Sequence, residues 1–188
     1  MRRWCLGLLL MGGLWQLGEG AWIHAKAMLA QQLLQQAWEH VEQGEVGAKP
    51  WPWADTTPLA RLRVDRLGVD QIVLAGASGR TLAFGPGHVT GAALPGGEGN
   101  VVISGHRDTH FQFLRELKGG DQIELELPDG GVERYAVLHQ AVYHQDDVWL
   151  MQDSLYQQLT LITCYPFDDP VPGGELRYVV EAEKMVML

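Results

Sequence analysis

Cysteine is nearly absent from this chain of 188 residues: Cys5 and Cys164 are the only two. That scarcity excludes a disulfide scaffold, which needs several pairs to staple a small core. Cys5 lies at the start of an apolar N-terminal segment, so a membrane boundary would separate it from Cys164, and Cys164 is expected to be an unpaired thiol. Too little apolar sequence precedes Cys5 for a lipidation site. Lysine is also scarce. Four lysines and ten arginines form no long basic run, and the net charge is -9 with a pI near 5.1. A surface that tracks nucleic-acid phosphates is thereby excluded. Internal repeats and low-complexity tracts are absent.

Long apolar runs are confined to the N-terminus, where Arg2 and Arg3 precede an apolar stretch from Trp4 to Trp15 that continues more softly, through Gln16 and Glu19, to Ile23. As a helix at about 1.5 Å per residue, Trp4 to Trp22 would span roughly 27 Å, close to a bilayer core, with a tryptophan near each interface. The arginines would stay in the cytoplasm and the rest of the chain would face outward. Two readings of residues 1–27 stand: a signal anchor, or a cleaved signal peptide with Leu6 to Leu14 as its apolar region and Ala25-Lys26-Ala27 as its cleavage site. The anchor is preferred because the apolar pattern carries on past that site. Both readings export the domain.

With 46% apolar residues the chain has room for one domain of ordinary size beyond this segment. From Met28 to Gln43, Leu29, Leu33, Ala37 and Val41 recur at helical spacing beside Leu34 and Trp38, which predicts a stalk helix leaving the membrane. Residues 44–58 carry three prolines and two tryptophans and cannot continue it, so 28–57 is read as stalk and linker and 58–188 as the folded domain. The tryptophans of the linker could dock on the domain or sit at the membrane surface.

Beyond Leu59 the pattern changes to short β-rich runs. Strands are expected at Arg61 to Arg66, Gln71 to Leu74, Asn100 to Ser104, Gln122 to Leu127, Val132 to Gln140, Leu159 to Cys164 and Leu176 to Glu181, with a turn at Pro128-Asp129-Gly130-Gly131. Short helices are expected at Thr109 to Leu117 and around Asp153 to Gln158. The fold class is mostly β, closed or nearly closed into a barrel, with short helices on its loops.

Three islands carry candidate chemistry: SGHRDTHF (104–111), LTLITCYPF (159–167) and GELRYVV (174–180). A cysteine nucleophile needs a thiolate, a group that moves a proton and a donor for the oxyanion, and Cys164, His106 and Arg177 have the chemistry for these parts. Each residue also has a structural reading. Cys164 can be core filler in a non-catalytic, membrane-anchored β-barrel binding module, His106 a histidine bonded to backbone, and Arg177 a salt-bridging surface residue. His106 and His110 stand four apart, a spacing compatible with a metal hydrolase site to which His88 could add a third ligand, although a solvated loop histidine is the simpler reading of His88. Asp108, Asp168 and Asp169 read as loop or cap carboxylates.

The islands, in this order, resemble the signature of the sortases, membrane-anchored cysteine transpeptidases. Thr160-Leu161-Ile162-Thr163-Cys164 matches the family's cysteine motif, Gly105-His106-Arg107 its histidine motif and Leu176-Arg177-Tyr178 its arginine motif. The likeness covers most of 58–182, and its wording is most similar to the class found in Gram-negative bacteria. It implies a closed eight-stranded β-barrel. It also implies roles: Cys164 attacks the threonine carbonyl of an LPXTG-like sorting signal at the C-terminus of an exported protein, Arg177 stabilises the oxyanion, and His106 protonates the departing amine. A thioester results, which an amine acceptor resolves. His110 receives no role. No cofactor is implied, and the lack of an acidic cluster before the histidine loop means that calcium dependence is not expected. The resemblance implies an inner-membrane, single-pass protein with a periplasmic catalytic domain.

Overall fold

The computed structural model describes Lys26 and residues 28–171 and 173–185. The first strand, β1 (Pro58–Val64), alternates buried and half-buried positions along PLARLRV, with Ala60, Leu62 and Val64 in the core. Its proline stands first, where no ladder hydrogen bond is lost. A 3₁₀ turn at Asp65–Leu67 and Gly68 (φ 63°) reverse the chain into β2 (Val69–Ala75), antiparallel to β1. The first expected strand therefore stops at Val64 and not at Arg66. The remaining strands are β3 (Gly87–His88), β4 (Asn100–Ser104), β5 (Gln122–Glu126), β6 (Val132–His144), β7 (Gln158–Tyr165) and β8 (Leu176–Lys184). They close in the order β1-β2-β3-β4-β7-β8-β6-β5, with β5 pairing back onto β1. The closed eight-stranded barrel is the one expected, and closure leaves no strand edge open.

Further elements depart from the expected pattern. The pair Gly87–His88 was too short to be seen as a strand, yet it bridges β2 and β4. A Cβ on Gly87 would lie 2.3 Å from the carbonyl oxygen of Gly76, so only glycine permits that approach. His88 is buried, not solvated, and its Nε2 donates to the Ala93 carbonyl at 2.8 Å. Strand β6 runs on to His144 because Ala141 to His144 pair with Val179 to Leu176 of β8. The helix expected around Asp153 to Gln158 does not form. Asp153 Oδ1 accepts from the backbone N–H groups of Asn100 and Ser154, Ser154 Oγ from that of Tyr156, and these side-chain bonds displace helical ones. The helical turn of this connection is a 3₁₀ turn at Val148–Met151. Of the other expected helix, Gln112–Glu116 is 3₁₀.

Residues 28–42 form helix α1. Leu34 and Trp38 pack on Ile72 and Leu74 of β2, with Val41 and Phe84 alongside. This explains three consecutive buried residues in β2, since Val73 faces the core while its neighbours lie under the helix. Burial of a Leu or Trp side chain is worth about 1.5–3 kcal/mol or more, so α1 is part of the folded unit's packing. The linker follows the same wall. Thr56 Oγ1 donates to the Ala75 carbonyl at 2.7 Å, and Trp51 meets Phe84 edge-on at 4.9 Å. Phe84 follows helix α2 (Gly79–Leu82), which Ser78 caps through the Thr81 N–H. Among the described residues no helix is long and apolar enough to cross a membrane. The candidate span Trp4 to Trp22 lies outside the described residues.

Candidate active site

Strands β4 and β7 run parallel, with Ser104 beside Ile162. His106 and Cys164 each come two residues further along, which brings them to the same level at the end of the barrel. Strand β8 is antiparallel to β7, and there Arg177 is the direct partner of Cys164. Directly opposed residues project from the same face of a sheet. The three residues thus form a row across three adjacent strand positions, and His106 and Cys164 line one cleft of about 410 Å³. Cys164 is a free thiol and half-buried, His106 is exposed, and Arg177 is half-buried.

His106 sits on a loop with a fixed base. Gly105 N–H donates to the Ile162 carbonyl at 3.1 Å, and the buried Thr163 hydroxyl donates to the Gly105 carbonyl at 2.7 Å. A Cβ on Gly105 would fall 2.7 Å from the Phe111 ring, so Phe111 packs where any other residue would clash. The Phe111 N–H closes the loop onto the His106 carbonyl at 2.9 Å. Next to His106, the buried Arg107 donates through Nη2 to the carbonyls of Asp169 and Val171, which ties the β7–β8 connection to the histidine loop.

The Arg177 guanidinium is held on one side. Nη1 donates to the carbonyls of Gly174 (2.7 Å) and Leu176 (2.9 Å), and Nη2 to Gln145 Oε1 at 3.2 Å. Gln145 is itself anchored through its N–H to the Glu175 carbonyl at 2.6 Å. Arg177 also faces a groove of about 170 Å³ on the outer wall of the barrel, floored by Ser104, Ile162 and Val179 and walled by Val148, Leu150 and Met151. The wall is pinned by Asn100, whose Nδ2 donates to the carbonyls of Leu150 (3.0 Å) and Gln152 (3.2 Å) while its Oδ1 accepts from Thr160 Oγ1 at 2.8 Å. Cys164 does not line this groove, and Arg177, its partner across β7 and β8, does.

His110 is half-buried, and burial holds its imidazole below the usual histidine range, with the neighbouring His106 acting in the same direction and Asp108 opposing. His88, bonded to Ala93, is not directed at the His106 and His110 pair. Asp168 pairs with Arg115 at 3.2 Å, and Asp169 Oδ1 accepts from the Val171 N–H at 2.9 Å, so both aspartates act as loop carboxylates. Thr163, Gln145, Asn100 and the anchoring part of Arg107 were not singled out from sequence. A polar residue at a buried strand position was the available signal for Asn100 and Thr163, whereas nothing local marks Gln145.

The model of the sortase domain family matches residues 62–185. Sortase D of Bacillus subtilis (strain 168) is 30% identical over 125 residues, 66% of this chain and 62% of that protein, so the chain spans less than two thirds of that relative. The barrel is similar to the Clostridium perfringens sortase D5 transpeptidase (TM-score 0.66, 22% identity, 84% of this chain and 96% of that one). It is likewise similar to a lid mutant of Corynebacterium diphtheriae sortase A (0.64, 24%, 85% and 95%) and to Listeria monocytogenes sortase A (0.60, 22%, 69% and 88%). These structural likenesses establish a shared fold.

Proposed function

The chain belongs to the sortase family, and on that premise we propose that it is an extracytoplasmic cysteine transpeptidase, tethered by its N-terminal segment, that cleaves an LPXTG-like sorting signal and transfers the acyl group to an amine. The observation that carries this reading is the level row of His106, Cys164 and Arg177 across β4, β7 and β8. In the first half-reaction the Cys164 thiolate adds to the threonine carbonyl carbon, and the oxyanion receives hydrogen bonds from the Arg177 guanidinium. The carbon–nitrogen bond breaks as His106, as imidazolium, gives its proton to the departing glycine amine. A thioester on Cys164 remains. In the second half-reaction an incoming amine attacks the thioester, the neutral imidazole takes the amine's proton, and the carbon–sulfur bond breaks to return the thiolate.

The apolar floor at Ile162 and Val179 suits the apolar residues that precede a scissile threonine, in extended form. Arginine suits the oxyanion role because it stays charged and only donates. The wording of the islands supports assignment to the Gram-negative class and therefore an inner-membrane location, with the domain in the periplasm and an exported protein as substrate. The test is to incubate the full chain in detergent with an LPXTG-type peptide and measure the mass of the Cys164 peptide. An acyl adduct lacking the released glycine segment is expected. Equal cleavage by Cys164→Ala would sink the mechanism.

A further inference from the structure

On the wall of the barrel opposite β8, helix α1, the linker and Phe84 frame an open concavity of about 430 Å³ that includes Leu29, Leu33, Trp51 and Trp53, with Lys26 and Arg80 among the residues that line it. Two of its large apolar members are exposed to solvent. Trp53 is 82% exposed, Met28 in the adjoining first turn of α1 is 74% exposed, and Leu29 is 55% exposed. Isolated exposed apolar residues need no explanation, but an exposed tryptophan and leucine lining one concavity with two basic residues form a patch, and such patches mark interaction surfaces.

We infer that this patch rests in the headgroup layer of the bilayer that holds the chain's own N-terminal segment. The inference relies on the anchor reading of that segment. Chain geometry supplies the argument for the occupant. Trp22, the outer end of the candidate span, is four residues from Lys26, and an extended chain covers at most ~3.6 Å per residue, so Lys26 lies within about 14 Å of the membrane interface. Lys26 lines the patch itself, so this edge of the patch is held close to that interface. Its composition fits that depth, because tryptophan collects at the headgroup level and the long side chains of Lys26 and Arg80 can reach lipid phosphates while their stems stay among apolar groups. Arg80 is exposed, and its ion pair with Asp55, at 3.0 Å, leaves further N–H donors for a phosphate.

The consequence is a defined orientation. In the ring of eight strands, β7 and β8 stand three and four positions from β2, the strand under α1. Seating the α1 side on the lipid keeps the groove beside Arg177 turned away from it, open to a substrate arriving from the aqueous side.

The experiment uses the full chain in vesicles of phosphatidylcholine and phosphatidylglycerol. Trp53→Cys, Leu29→Cys and Val46→Cys are each spin-labelled in a Cys5→Ser, Cys164→Ser background, and Val46, fully exposed on the same linker, is the aqueous reference. The proposal expects the chain to float with the vesicles and the labels at 53 and 29 to collide with a water-soluble nickel complex several-fold less often than the label at 46, and with oxygen more often. Floating chains whose three labels are equally accessible to nickel would overturn the patch and leave the anchor standing. Dipolar broadening between labels at 53 would show a second copy on the patch and also overturn it. A chain that stays in the aqueous fraction would remove the anchor reading and this inference together.

Discussion

The hydroxyl of Thr163 donates a 2.7 Å hydrogen bond to the carbonyl of Gly105, the residue immediately before His106. Through it the strand that carries Cys164 sets the starting point of the loop that carries His106. Thr163→Val keeps the shape and removes the donor, leaving the carbonyl unpaired inside the protein, and a loss of about 1–3 kcal/mol in stability is expected from chemical denaturation. Thr163→Ser should retain most of both stability and turnover. Equal stability of Thr163→Val and the parent would mean that this bond does not brace the loop.

Arg177 reaches three acceptors at once, two carbonyls and Gln145 Oε1. A lysine has a single nitrogen and cannot reproduce the fork, so Arg177→Lys should lower kcat by roughly 10²-fold or more with the charge intact. Gln145→Leu frees one side of the guanidinium and should have a smaller effect in the same direction, carried by kcat more than KM. Steady-state kinetics on a sorting peptide would decide, and a purely KM effect in Gln145→Leu would assign that residue to substrate contact instead.

Asn100 joins β4 and β7, two of the strands under the groove, to the wall above it. Asn100→Leu orphans the carbonyls of Leu150 and Gln152 and takes away the acceptor of the Thr160 hydroxyl. Such a wall should loosen, raising KM for the peptide more than it lowers kcat, while thiol alkylation at Cys164 proceeds at the parent rate. An unchanged KM would separate the wall from peptide binding.

Trp38 of α1 is fully buried against β2. Trp38→Ala should destabilise the domain by about 3–5 kcal/mol in equilibrium unfolding, the range for large aromatic truncations in cores. A cost below about 1 kcal/mol would show that the helix contributes little to the fold.

Arg61 and Asp70 form a two-pronged pair at 2.6 and 2.7 Å across β1 and β2. Hydrogen bonding from Arg61 holds the Asp70 carboxyl below the usual carboxylate range, against the opposing effect of burial. Because the folded state binds this proton less readily than the unfolded state, the contribution is present above the ordinary aspartate pKa of about 4 and is lost as pH falls through the lower folded value. Asp70→Asn should therefore narrow the stability difference between pH 7 and pH 3. The size will be modest, since the pair is partly exposed. Parallel pH profiles for parent and variant would remove the linkage.

Local patterns in the chain determined a good deal by themselves. The alternation of LARLRV marks β1, the bounds Asn100 to Ser104 match β4, and the turn at Pro128 to Gly131 forms with Asp129 Oδ1 accepting from the Gly131 N–H at 2.9 Å. The three chemical islands were also legible, because motifs at strand ends are contiguous. Tertiary structure alone decided the rest. Strand order and register are long-range quantities: they set His106, Cys164 and Arg177 level, and they give the last residues of β6 their partners on β8. Gln145 meets Arg177 from 32 positions away, and the two-residue β3 exists only because β2 and β4 lie on either side of it. The helical periodicity of 28–42 showed an apolar face but not the surface it would cover. Side-chain periodicity records which way each residue points, whereas the partner it meets depends on how distant segments are brought together when the barrel closes.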